Sequence, residues 1–222
     1  MKEIKNISLV IFDMDGLMLD TERISLEALG KAGKEYGYKI TPNIVMKMIG
    51  MNSQGCEEVF RENFGEQFPL DDIRKLKSKL VSGIIDKTGV PVKTGLYELL
   101  EFLNKKKVLT AVATSTAKKS AEKLLKSVNI LDKFHLIVCG DEVTAGKPDP
   151  EIFLKAAYKL DCRPEECIVF EDSENGIRAA ARANMIPIMI PDMKEPSEEI
   201  AKLIYKKFNT LLDAKKYLEE YF

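Results

Sequence analysis

A chain of 222 residues, 45% hydrophobic and 31% charged, can bury a real core and suits one large domain or a core domain carrying a smaller insert. Its 34 Lys and Arg against 35 Asp and Glu leave no net field to draw nucleic acid or anionic lipid. The longest apolar runs fall far short of the roughly 20 residues that span a bilayer, and the apolar run at residues 9–12 meets two aspartates rather than a signal-peptide cleavage site. The cysteines, Cys56, Cys139, Cys162 and Cys167, follow no disulfide framework or zinc spacing, which fits a reducing cytoplasm.

Taken in chain order, residues 7–12 read as a first strand that runs into Asp13-Met14-Asp15-Gly16. From residue 20 to 90 the pattern is helical, with apolar positions such as Ile24, Ala28 and Leu29, then Val59, Phe60 and Phe64, then Ile73, Leu76, Leu80 and Ile84. Gly37, Pro42, Gly50, Gly65 and Pro69 punctuate it into short helices. These features predict an all-helical cap domain over residues 20–90, inserted into a core domain made of residues 1–19 and 91–222. Beyond residue 90, short apolar strands at 108–113, 136–139, 167–170 and 186–190 alternate with helical stripes, among them Leu96, Leu99, Leu100 and Leu103. Another stripe is Ile152, Phe153, Ala156, Ala157 and Leu160. Alternation of this kind predicts an α/β fold, a doubly wound, Rossmann-like parallel sheet covered by helices on both faces.

Ligands of such sheets bind beyond the carboxyl ends of the strands. There the sequence sets Asp13 and Asp15, the hydroxyl pair of Thr114 and Ser115, Lys147, and the acidic pair Glu171 and Asp172. The set suits phosphoryl transfer with Asp13 as nucleophile, because a carboxylate attacking a phosphate dianion needs compensating positive charge. Lys147 supplies one charge, and Mg²⁺ held by Asp13, Asp172 and Glu171 would supply the other. Pro148 biases Lys147 toward an extended conformation, and Asp149-Pro150 reads as a helix N-cap followed by proline at the first helical position. Thr114 and Ser115 are placed where the next helix begins, offering hydroxyls and free backbone N–H groups to phosphate. Asp15, two residues beyond Asp13, suits general acid and base work, and Gly16 lets the chain turn away.

Several other readings fail. No glutamate stands where an EF-hand loop would need one, since Arg23 and Ile24 occupy that region. Pro148 stands where a P-loop requires Ser or Thr. His135, the sole histidine, looks like a strand-entry residue without a catalytic partner.

With these residues in view, the chain resembles the haloacid dehalogenase-like hydrolases, in the branch of beta-phosphoglucomutase and the small sugar-phosphate phosphatases. The motifs that carry the likeness are Ile11 to Glu22, Ala113-Thr114-Ser115, Gly146 to Pro150, and Phe170 to Ser173 with Gly176. The resemblance implies Asp13 as nucleophile and Asp15 as acid/base that also turns its backbone carbonyl to Mg²⁺. It further implies Asp172 as a metal ligand and Thr114 and Lys147 as holders of the phosphoryl group. Two departures favour hydrolysis over isomerisation: Ser25 stands where the mutase has a histidine, and Met51-Asn52-Ser53 where it has an arginine shortly after the glycine matched by Gly50. The expected partner is a small phosphorylated metabolite, a sugar phosphate or a nucleoside monophosphate, with no nucleic acid or membrane partner and a monomer as the default state. A phosphosugar mutase and, from another class, a phosphoacceptor signalling module are the alternatives. Arg23, Arg61, Lys75 and Lys77 are the cap cations that could meet substrate.

Overall fold

The computed structural model describes residues 6–48 and 53–221. The chain divides into two compact units, Asp20–Pro91 and the combination of Met1–Leu19 with Val92–Phe222.

Among its described residues the smaller unit is helical: α1 (Thr21–Glu35), α2 (Pro42–Met48), α3 (Ser53–Phe64) and α4 (Leu70–Thr88). Its core gathers Leu29, Ala32, Ile40, Met48, Val59, Phe60, Phe68 and Ile73. Phe68 stacks on Phe60 and Phe64 at centroid distances of 4.9 and 5.0 Å and meets the edge of Tyr38 at 4.9 Å. Glycine makes one close turn possible. A Cβ on Gly33 would sit 2.7 Å from Ile40, so its absence lets the chain after α1 fold back along the helix.

The larger unit holds a six-stranded sheet in the order β3-β2-β1-β4-β5-β6, with every pair parallel. The strands are β1 (Leu9–Phe12), β2 (Leu109–Ala113), β3 (Leu136–Val138), β4 (Cys167–Glu171), β5 (Ile186–Met189) and β6 (Lys206–Lys207). The helices are α5 (Leu96–Lys105), α6 (Lys118–Ser127), α7 (Glu151–Lys159), α8 (Glu174–Arg182), α9 (Glu198–Ala201) and α10 (Leu211–Leu218). The predicted doubly wound α/β class is what the chain adopts, and the strand order is the one that opens a crevice where the winding reverses. Strands β1 and β4 are wholly buried, as the apolar runs of residues 9–12 and 167–170 require, and Glu171 at the end of β4 is buried with them. Leu9, Ile11, Val169 and Ala113 pack under Phe153, Ala156, Ala179 and Ala180 of α7 and α8. On the other face Phe12 stacks on Phe170 at 5.4 Å.

Several local details differ from the sequence reading. The exposed pair Lys206-Lys207 forms a sixth strand that no apolar pattern announced; two lysines make a short, charged edge that discourages pairing with another chain. Strand β4 extends one residue further than expected, to Glu171. Helix α6 starts at Lys118, not at Thr114, because Thr114 Oγ1 accepts the Thr116 N–H at 3.1 Å and turns the chain before the helix can begin. No helix among the described residues is long and apolar enough to cross a membrane.

Candidate active site

Asp13 follows β1 directly, and its N–H extends the ladder to the Phe170 carbonyl at 3.0 Å. That bond delivers the carboxylate to the crevice between β1 and β4 with only 7% of the residue exposed. Lys147 arrives from the segment before α7. Its Nζ donates to Asp13 Oδ1, to Glu171 Oε1 at 2.6 Å and to the Ala113 carbonyl at 3.0 Å. The ammonium thereby joins groups at the ends of three adjacent strands, and its side chain is 6% exposed. The Lys147–Pro148 peptide is cis.

Glu171 is completely buried. While Oε1 takes Lys147, Oε2 accepts the Asp172 N–H at 3.1 Å, the Ser173 N–H at 3.0 Å and the Ser173 hydroxyl at 2.9 Å. Ser173 Oγ in turn accepts the Gly176 N–H at 3.1 Å and caps α8. A Cβ on Gly176 would lie 1.8 Å from Glu171 Cδ, so glycine is what admits the carboxylate beneath the helix. Gly16, at φ +83°, serves Asp172 similarly: a Cβ there would fall 2.3 Å from Asp172 Oδ2.

Asp15 accepts the Thr116 hydroxyl at 2.7 Å and the Thr114 hydroxyl at 3.3 Å, both on Oδ2. Thr114 is buried, but its N–H is not free as the sequence suggested; it donates to the Val138 carbonyl at 3.1 Å as a continuation of the β2–β3 ladder. Ser115 is exposed, with its carbonyl close over Gly140, where a Cβ would lie only 2.2 Å away. Thr116 is the residue that sequence reasoning passed over. The signal was present, a third hydroxyl in Thr114-Ser115-Thr116, but nothing in the string ranks one hydroxyl above its neighbours. Asp149 also departs slightly from expectation: α7 is counted from Glu151, yet the Asp149 carboxylate still accepts the Glu151 N–H at 2.9 Å, and Pro150 already holds helical angles.

Burial dominates the electrostatics. It pushes the Asp13 carboxyl up to about 8 against the pull of the Lys147 charge, and Glu171 and Asp15 add to the rise. Burial also opposes the Lys147 ammonium, but Asp13 and Glu171 together hold that group above an ordinary lysine. One oxygen from each of Asp13, Glu171 and Asp172 lies within 4.8 Å of the others. Three clustered carboxylates, two of them paired with one ammonium, leave excess negative charge on hard oxygen donors, the donor chemistry that Mg²⁺ fits. Asp13 and Asp172 fit it best, since both oxygens of Glu171 already accept protein donors.

In the smaller unit, three of the cations marked from sequence pair within the unit: Arg23 with Asp20 at 2.6 Å, Arg61 with Glu66 at 3.6 Å and Lys75 with Asp72 at 3.6 Å. Gly50, Met51 and Asn52, where the mutase comparison turns on an arginine, lie outside the described residues.

Buried carboxylates and a lysine at the switch point of a parallel sheet define an α/β enzyme core built to manage negative charge. The family is specific: residues 10–190 match the haloacid dehalogenase-like hydrolase model, and the chain belongs to that family as an enzyme of its phosphatase type. It is similar to the phosphorylated carbohydrates phosphatase of Thermotoga maritima, 33% identical over 79% of this chain and 81% of that one. It is also similar to (DL)-glycerol-3-phosphatase 2 of Arabidopsis thaliana, 29% identical over 84% of this chain and 80% of that one. The crystal structure of beta-phosphoglucomutase from Clostridium difficile superposes with a TM-score of 0.77 at 25% identity and 96% coverage of both chains.

Proposed function

We propose that the protein hydrolyses a small phosphomonoester, a sugar phosphate or a nucleoside monophosphate, through an aspartyl-phosphate on Asp13 with Mg²⁺ as cofactor. The observation that carries this reading is the Lys147 ammonium shared between Asp13 and Glu171 at the sheet's switch point. Asp13 attacks phosphorus, the ester P–O bond breaks, and Asp15 gives its proton to the departing alkoxide. Asp15, now ionised, takes a proton from water as that water attacks the aspartyl-phosphate; inorganic phosphate leaves and Asp13 is restored. Lys147 offsets charge on the transferring phosphoryl group, and Thr114 and Ser115 offer it hydroxyls. Asp13, Asp172 and the backbone carbonyl of Asp15 would hold Mg²⁺, with Glu171 close by, and the ion would lower the repulsion between carboxylate and phosphate. Residues 20–90 act as the cap that selects substrate.

Hydrolysis is preferred to mutase chemistry because Ser25 replaces the histidine expected of a phosphosugar mutase. The direct assay is phosphate release from a panel of sugar phosphates and nucleotides, with Asp13→Asn as control. Release by wild type that disappears in Asp13→Asn supports the reading, whereas an Asn variant with wild-type turnover would falsify it. Interconversion of phosphosugars without net release of phosphate would favour the mutase instead.

A further inference from the structure

Lys147 owes its place to a short surface segment, and that segment is held from two helices by residues to which the mechanism above assigns no role. On its N-terminal side, the Glu151 carboxylate at the start of α7 accepts the Thr144 N–H at 2.9 and 3.0 Å and the Ala145 N–H at 2.8 Å. These backbone bonds, the largest influences on Glu151, hold its carboxyl below the usual range. The segment then closes on itself: Asp149 N–H donates to the Gly146 carbonyl at 3.0 Å, and Glu151 N–H donates to Asp149 Oδ1 at 2.9 Å. On the C-terminal side, the Arg182 guanidinium in the last turn of α8 donates to the Pro148 carbonyl at 2.9 Å.

Helix α7 also braces the Thr114–Thr116 segment, through residues 139–142. Lys155 donates to the Glu142 carbonyl and Lys159 reaches the Glu142 side chain at Oε1, 3.5 Å away, so Glu151, Lys155 and Lys159, spaced four apart, all hold the stretch from Glu142 to Ala145. Glu142 Oε2 accepts the Cys139 N–H at 3.0 Å, Gly140 N–H donates to the Thr116 carbonyl at 3.1 Å, and Asp141 Oδ1 accepts the Lys118 N–H at 3.0 Å. A buried lysine whose ammonium already serves two carboxylates and a carbonyl has little torsional freedom left to absorb a shift of its own backbone, so such a shift weakens those contacts.

We infer that Glu151 is a positioning residue for catalysis, with Arg182 as its second anchor: together they fix the backbone on either side of Lys147 and so aim its ammonium. The inference rests on the hydrolytic reading above. The test is steady-state hydrolysis of p-nitrophenyl phosphate with Mg²⁺ by the full chain as wild type, Glu151→Ala, Glu151→Gln, Arg182→Met and the Glu151→Gln/Arg182→Met double variant. Turnover is normalised to folded protein by circular dichroism. Misplacing a group that acts on the reacting centre by about 1 Å can cost up to ~100-fold, so Glu151→Ala is expected to lower kcat about tenfold. Glu151→Gln, which keeps one acceptor oxygen, is expected to recover part of that loss. The double variant should lose less than the product of the single losses, because both anchors act on one segment. A purely structural role would lower the melting temperature and leave kcat per folded molecule unchanged. That result in Glu151→Gln, which retains the side-chain shape and folds most readily, overturns the inference. Should wild type itself release no phosphate, the hydrolytic reading fails and the inference falls with it; a working wild type matched by Glu151→Gln removes the inference alone.

Discussion

Thr116 donates its hydroxyl to Asp15 Oδ2 at 2.7 Å, across 101 residues of chain, while Thr114 reaches the same oxygen at 3.3 Å. The carboxylate proposed to move protons is thus oriented from β2, the neighbour of the strand that carries it. Removal of the shorter bond should leave Asp15 present but poorly aimed. General acid–base catalysis contributes about 10²–10⁴-fold in all, so Thr116→Val is expected to lower kcat about tenfold, with Thr116→Ser close to wild type. Rate profiles across pH for both variants are the check, and a valine variant with wild-type kcat would show that Asp15 needs no such support.

Lys147 and Glu171 form a buried ion pair with side chains 6% and 0% exposed. Truncating Glu171 leaves Lys147 to Asp13 alone and strips the Asp172 and Ser173 N–H groups of their acceptor, and breaking a buried pair in this way costs about 3–5 kcal/mol. Glu171→Ala is therefore expected to lose stability in that range and turnover as well, since Lys147 loses one of its two carboxylate partners. Urea unfolding measures the first effect; a loss below about 1 kcal/mol would mean that water replaces the missing carboxylate without penalty.

Gly176 and Gly30 both lie within helices but should respond oppositely to alanine. A Cβ at Gly176 collides with Glu171 at 1.8 Å, whereas one at Gly30 meets no described atom within 4 Å. Alanine is the better helix former by roughly 0.5–1 kcal/mol, so Gly30→Ala should raise the melting temperature. Gly176→Ala should lower it and reduce activity as Glu171 is displaced. Equal responses of the two variants would contradict the tight packing around Glu171.

Metal binding should register in stability apart from catalysis. A ligand that binds only the native state stabilises it by about 2.7 kcal/mol at a hundred times its Kd, so Mg²⁺ should raise the melting temperature of wild type and chelator should reverse the rise. Asp172→Asn, with one candidate donor neutralised, should show a much smaller increment. An undiminished Mg²⁺ shift in that variant would remove Asp172 from the ligand set.

Much of the sheet was legible because its strands are short apolar runs separated by helical stripes, and runs buried on both faces admit few other readings. What escaped notice had no apolar signature: Lys206 and Lys207 form an edge strand through backbone bonds alone. The site was legible at residues whose chemistry is scarce at strand ends, such as Asp13 and Lys147. It was not legible at Thr116 and Glu151, whose parts depend on partners 101 and 6–7 residues away. Hydroxyls and surface glutamates are common, and only geometry distinguishes those that hold something.

By itself, then, the sequence determined the fold class and which residues would gather beyond the carboxyl ends of the strands, since a parallel sheet follows from the alternation of apolar patterns and its ligands bind at that edge; the strand order came only from the structure. Tertiary structure decided what each gathered residue does with its hydrogen bonds. Glu171, which the sequence offered as a metal ligand, has both oxygens engaged by Lys147, Ser173 and the adjacent backbone N–H groups. Thr114 keeps its N–H within the sheet. Both outcomes have one physical reason: a buried polar group takes the nearest partner that packing supplies, and that partner is set in three dimensions.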